Sequence, residues 1–151
     1  MIRIVLVDDQ EMVRTGLRVL AQNDGDIVVV GEAADGRAGL GTVRQLRPAV
    51  VLMDIRMPHL DGITATRRIV QDPALADVRV IMLTTFDEDD DVLAAIHAGA
   101  SGYVLKDVAP DDLREAIRVV AAGDSLLSPT ITTKVLGHLS DRLGRECIRN
   151  C

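Results

Sequence analysis

Cysteine is almost missing from this chain: there are two in 151 residues, Cys147 and Cys151, both in the last few positions. That is too few and too late for a disulfide framework or a four-ligand zinc site. Long apolar runs are missing as well. No stretch approaches the roughly 20 residues of a membrane helix, and the opening "MIRIVLVDD" enters a strand pattern without the cleavage features of a signal peptide. A cytoplasmic protein with no membrane partner is expected. Basic charge is in short supply too, 17 Lys and Arg against 23 Asp and Glu, a net charge of -6. Binding to a phosphate backbone needs clustered Lys and Arg, so this chain is not expected to hold DNA by itself. What it does have is 48% apolar and 26% charged residues, the balance of one domain able to bury a sizeable core.

Short apolar, often β-branched runs recur along the chain: Ile2 to Val7, Ile27 to Gly31, Val50 to Met53, Val78 to Leu83 and Gly102 to Leu105. They predict five strands, the first four largely buried. Between them lie helical spacings. Met12, Val13, Leu17 and Leu20 form one stripe, Val92, Leu93, Ile96 and Ala100 another, and Leu113, Ile117 and Val120 a third. Helices also fit Gly36 to Leu46, stopped by Pro48, and Ile63 to Val70, stopped before Pro73. Strand and helix alternating five times imply right-handed crossovers and a doubly wound parallel α/β sheet covered on both faces. After Gly123 the pattern weakens to a modest stripe (Ile131, Val135, Leu139), which predicts a linker or a sixth helix over 124–151.

In such a sheet, ligands sit beyond the carboxyl ends of the strands. Strand one ends in Asp8 and Asp9, strand three in Asp54, strand four in Thr84 and Thr85, and strand five in Lys106. Singly, each has an ordinary explanation: a helix cap, a β-branched strand residue, a solvated loop charge. Together they place three carboxylates at one edge, and like charges about 4 Å apart repel by roughly 4 kcal/mol at an effective dielectric near 20. A cation must offset that. Magnesium suits the oxygen ligands, with Asp9 and Asp54 as direct ligands, Asp8 acting through water and a backbone carbonyl after Asp54 completing the shell. A metal there invites a phosphoryl group, with Lys106 neutralising one oxygen and Thr84 donating to another. Asp54 is the expected nucleophile, forming an aspartyl phosphate.

The combination "VLVDDQ", "VLMDIRMPHLDG", "IMLTTF" and "GYVLKD", with thirty residues from Asp54 to Thr84 and fifty-two to Lys106, resembles the receiver domain of bacterial two-component response regulators. The likeness covers nearly all of Ile2 to Gly123. "FDEDDDVLAAIHAGASGYVLKD" and "LREAIRVVAAGDSLLSP" are further similar to the NarL/FixJ (LuxR-type) subfamily. The resemblance implies a flavodoxin-like (βα)5 fold with strand order 2-1-3-4-5. It implies a phosphoryl group taken from a sensor histidine kinase onto Asp54, and Mg2+ (or Mn2+) held by Asp8, Asp9, Asp54 and the Arg56 backbone carbonyl. Thr84 and Lys106 would stabilise the phosphoryl group, and Thr84 would swing toward it, opening space for Tyr103 to turn inward. Homodimerisation on phosphorylation and control of transcription through a helix-turn-helix domain are implied as well. No basic recognition helix is expected within these 151 residues, which end at "RECIRNC", so they are expected to be either the receiver piece of a longer regulator or a natural truncation. Such a chain is a signalling module, catalysing only its own phosphoryl transfer and dephosphorylation.

Other readings fit less well. A Mg2+-dependent aspartyl-phosphate phosphohydrolase needs a second carboxylate two residues after its nucleophile, where Arg56 stands, and a cap insertion. A flavin binder needs a Ser/Thr/Gly-rich loop after strand one, where the chain has "DDQEM". Arg56 itself is expected either to tune the lifetime of the phosphorylated state or to be solvated. His59, His97 and His138 make no metal spacing and are expected at the surface or on helix edges. "FDEDDD" (86–91) lacks the spaced ligands and glycine of a calcium loop and predicts an acidic helix start instead. Met53 and Met57 are expected in core and loop packing.

Overall fold

In the computed structural model, which describes residues 1–84 and 89–124 and leaves aside the side chains of 89–92, strands and helices alternate strictly. The order is β1 (Ile2–Val7), α1 (Glu11–Gln22), β2 (Ile27–Ala33), α2 (Gly36–Leu46), β3 (Val50–Asp54), α3 (Gly62–Gln71), a short 3-10 turn (Pro73–Leu75), β4 (Arg79–Thr84), α4 (Asp89–Ala98), β5 (Gly102–Leu105) and α5 (Pro110–Ala121). All strand pairings are parallel, in the order β2-β1-β3-β4-β5. This is the expected doubly wound sheet. The predicted element over 124–151 lies, except for Asp124, outside the described residues, as do Thr85, His138, Cys147 and Cys151.

The sequence puts unbroken apolar runs where both faces of the sheet are covered. Val50, Val51, Leu52 and Met53 of β3 and Val80, Ile81, Met82 and Leu83 of β4 are all buried, as central parallel strands require. β2 departs from that expectation. Only Ile27 and Ala33 are fully buried on it, whereas β5, at the opposite edge, is buried throughout. It also runs two residues past Gly31, since Leu6 pairs with Glu32 and Val7 with Ala33 after a register shift that leaves Val30 unmatched.

Two helical stripes are narrower than expected. α1 packs through Val13, Leu17 and Ala21, while Met12 is 88% exposed. Met12 stands five residues from Leu17, about 140° around the helix, so it points away from the sheet. Leu93 on α4 is likewise half exposed. Caps fix the helix starts. The Asp35 and Asp61 carboxylates accept from the Ala38 and Thr64 N–H groups, and Pro110 opens α5 where its missing N–H costs nothing.

Candidate functional site

Parallel strands bring every carboxyl end to one edge, so residues separated by dozens of positions become neighbours. Asp8 and Asp9 follow β1, Asp54 ends β3, Thr84 ends β4 and Lys106 follows β5. Asp54 pairs in register with Leu83, and Thr84 with Leu105. One carboxylate oxygen from each of Asp8, Asp9 and Asp54 lies within 4.8 Å of the others. Asp8 and Asp54 are buried and Asp9 is exposed. Lys106 Nζ stands 3.1 Å from Asp54 Oδ1 and 3.4 Å from Asp8 Oδ2. One ammonium therefore pairs with two carboxylates of a cluster of three.

Asp8 is tied down at nearly every polar atom. Its N–H donates to the Ala33 carbonyl at 3.1 Å, its Oδ1 accepts from the Gln10 N–H at 2.8 Å, and its carbonyl accepts from Arg14 Nη1. The idea of Asp8 or Asp9 as a simple cap for α1 therefore needs correcting. Gln10 occupies the cap position without a side-chain hydrogen bond, and Asp8 ties only that one residue's N–H. Its Oδ2 is buried and accepts no hydrogen bond among the described residues; at 3.4 Å, Lys106 is its Coulomb partner rather than a close donor.

The charges answer one another. Burial pushes the Asp54 carboxyl above the usual range; Lys106 pulls it back, and Asp8 and then Asp9 push it up again. Burial would lower the Lys106 ammonium, but its hydrogen bond to Asp54 and its attraction to Asp54 and Asp8 outweigh that and hold it up. Each like-charged pair at this separation opposes ionisation by roughly 3–4 kcal/mol at an effective dielectric near 20, less at exposed Asp9, which water screens. A buried carboxylate oxygen without a donor, in an all-oxygen cluster of excess negative charge, fits a hard divalent cation.

The loop after Asp54 is held by two close approaches. The Gly62 N–H donates to the Ile55 carbonyl at 2.8 Å, and the Gly36 N–H to the Leu60 carbonyl at 3.1 Å. A Cβ on Gly62 would lie 1.9 Å from the Asp54 carbonyl oxygen, and one on Gly36 2.0 Å from that of Leu60, so glycine is required at both. His59 is exposed, as expected of it, but adopts the left-handed region at φ 69°. Arg56 is exposed. It lines an open cavity of about 380 Å³ with Met57, Asp61, Ile63 and Thr64.

Thr84 and Tyr103 are 1% and 3% exposed, so the Tyr103 ring already lies inside, opposite Met82. The Lys106 N–H donates to the Thr84 carbonyl at 2.9 Å, which ties the ends of β4 and β5 together.

Two groups escaped the sequence reading. Arg14 holds the Asp8 carbonyl while its Nε donates to Glu32 Oε1 at 3.2 Å; a cation one turn into the helix after the acidic pair was the available signal. Arg114, 4% exposed, donates to Asp24 Oδ2 at 3.0 Å, to the Leu20 carbonyl at 2.7 Å and to Asp111. Arg118 beside it pairs with Asp24 and Asp26. No local pattern announces contacts across some 90 residues.

Comparison with known proteins follows the same lines. The response regulator receiver domain family matches residues 4–118. The transcriptional regulatory protein LiaR of Bacillus subtilis is 42% identical over 139 residues, 92% of this chain and 65% of LiaR. A LuxR-family two-component response regulator from Aurantimonas has a solved structure that aligns at TM-score 0.78 with 37% identity, covering 91% of this chain and 97% of that one. The signal receiver domain of the response regulator NarL from Mycobacterium tuberculosis aligns at 0.76 with 34% identity, covering 81% and 97%. The chain thus spans slightly under two thirds of the length of LiaR. Among the described residues no helix is long and apolar enough to cross a membrane.

Proposed function

Because the chain belongs to the response regulator receiver domain family, in its NarL/LuxR-type branch, we propose that Asp54 accepts a phosphoryl group from the phosphohistidine of a sensor kinase. The observation that carries this reading is the Lys106 ammonium set between Asp54 Oδ1 and a buried Asp8 oxygen that has no hydrogen-bond donor among the described residues. It supports a built cation-and-phosphoryl site rather than three solvated charges.

Asp8, Asp9, Asp54 and the Arg56 backbone carbonyl would hold Mg2+. When bound, the ion would supply positive charge that offsets the repulsion between the carboxylates and an incoming phosphoryl group. The remaining work falls to the chain. Asp54 presents a carboxylate oxygen in line with the phosphorus; the O–P bond forms as the donor's N–P bond breaks, and the imidazole nitrogen keeps the electron pair. Lys106 holds the other Asp54 oxygen and then meets a phosphoryl oxygen, and Thr84 donates its hydroxyl to another. With the Tyr103 ring already inside, the switch is a population shift set by the Thr84 contact rather than entry of the ring from outside.

Residues 1–123 would serve as the receiver and 124–151 as the lead into an output domain. A regulator of this kind acts in the cytoplasm, dimerises on phosphorylation and reaches DNA only through its output domain. It is no enzyme toward other substrates, its chemistry being its own phosphorylation and dephosphorylation. The phosphohydrolase reading is disfavoured: exposed Arg56 stands where a general acid is needed.

Intact mass after incubation with Mg2+ and acetyl phosphate tests the proposal. One base-labile phosphate adduct per chain is expected, absent from Asp54→Asn. An adduct that persists in Asp54→Asn, or no adduct while Mg2+ binds, overturns it.

A further inference from the structure

We propose that Arg14, steadied by Glu32, is a positioning residue for the cation site. The inference rests on reading Asp8, Asp9 and Asp54 as that site. The Asp8 carbonyl belongs to the peptide joining Asp8 to Asp9, so a donor on it anchors the short backbone segment that carries both carboxylates. Arg14 Nη1 donates to that carbonyl. Its fork is fixed from behind, where Nε donates to Glu32 Oε1 at 3.2 Å, and Glu32 in turn pairs with Arg18. The Arg14 and Glu32 side chains are only 15% and 22% exposed. Glu32 sits on β2 opposite Leu6, so the rigid sheet, not the loop, sets where Arg14 stands. With the N–H on Ala33 and Oδ1 on Gln10, this contact leaves Asp8 a single free direction, the buried Oδ2.

Charge alone predicts the reverse effect. A guanidinium near a dication repels it, so removing it should tighten Mg2+ binding if Coulomb repulsion dominates. If positioning dominates, removal loosens binding, as loss of outer-shell partners commonly does by 10-fold or more. Lysine separates the two further, since it keeps the charge but lacks the planar fork that serves the Asp8 carbonyl and Glu32 together.

The experiment is a MgCl2 titration of the full 151-residue chain followed by amide NMR shifts, for wild type, Arg14→Met, Arg14→Lys, Glu32→Gln, Arg118→Gln and Asp8→Asn. Arg14→Met and Arg14→Lys should each weaken Mg2+ binding about tenfold, with a smaller loss in Glu32→Gln. Arg118→Gln, which loosens α5 away from Asp8, should bind as wild type does. If Arg14→Met fails to fold, Arg14→Lys decides. Unchanged or tighter binding in the Arg14 variants overturns the inference, and so does an equal loss in Arg118→Gln, which would mark general loosening. Wild type that binds no Mg2+, or Asp8→Asn that binds it normally, overturns the site reading itself and the inference with it.

Discussion

Lys106 Nζ stands 3.1 Å from Asp54 Oδ1, although 52 residues separate the two in the chain. It is the cation that the acidic edge holds from within the protein. Replacing it, as in Lys106→Met, leaves three carboxylates facing one another. A loss of roughly 1–3 kcal/mol is expected without metal, partly recovered by Mg2+ through preferential binding to the folded state. Urea midpoints with and without MgCl2 check this; equal losses in both would mean that the metal does not share the lysine's role.

The Asp54→Asn change works in the opposite direction. It removes one of the crowded charges and keeps the shape, so a gain of about 1–2 kcal/mol is expected in metal-free buffer. The sign with pH follows from the raised Asp54 pKa. Above that folded value the wild type carries the full cost of a buried charge. The cost fades as pH falls through the folded value toward the unfolded one of about 3.8. The advantage of Asp54→Asn should therefore shrink with acid, as melting temperatures from pH 7 to 4 would show; an advantage that grows with acid would contradict it.

Two glycines offer a matched contrast. A Cβ on Gly62 meets the Asp54 carbonyl oxygen at 1.9 Å, whereas one on Gly41 meets nothing within 4 Å. Gly62→Ala should cost about 3 kcal/mol or more by forcing the loop after Asp54 to shift. Gly41→Ala, on the exposed face of α2, should gain up to about 1 kcal/mol through helix propensity. Chemical denaturation of both variants checks the pair.

Asp24 and Asp26 are held below the usual carboxylate range, chiefly by the Arg118 guanidinium. A lowered folded pKa gives stability that is present above the unfolded value of about 3.8 and is lost as pH falls through the folded one. Arg118→Gln should therefore trail wild type by a constant margin above about pH 5 and converge with it in stronger acid. A margin independent of pH down to acid unfolding would rule the mechanism out.

Much of this protein could be read from its residues in order. Apolar runs of strand length, alternating with 3.6-residue stripes, determined a parallel sheet with helices on both faces, because such strands must be covered on both sides; five of them make an open, doubly wound sheet. The same regularity determined which residues meet: every strand's carboxyl end falls at one edge, so Asp8, Asp9, Asp54, Thr84 and Lys106 could be named before their distances were known. The limits are physical as well. Strand exposure depends on what packs over each edge, so β2 emerged half open despite its valines while β5, at the opposite edge, is buried. Only part of a helix's circumference meets the sheet, so Met12, about 140° from Leu17, fell outside the buried stripe. Arg14 on the Asp8 carbonyl, Arg114 on Asp24 and Gly62 against the Asp54 carbonyl are contacts of an arginine fork or a bare Cα with distant groups. Local spacing carries no record of them; only the packed chain decides them, because each exists where two elements separated in sequence come within a few ångströms.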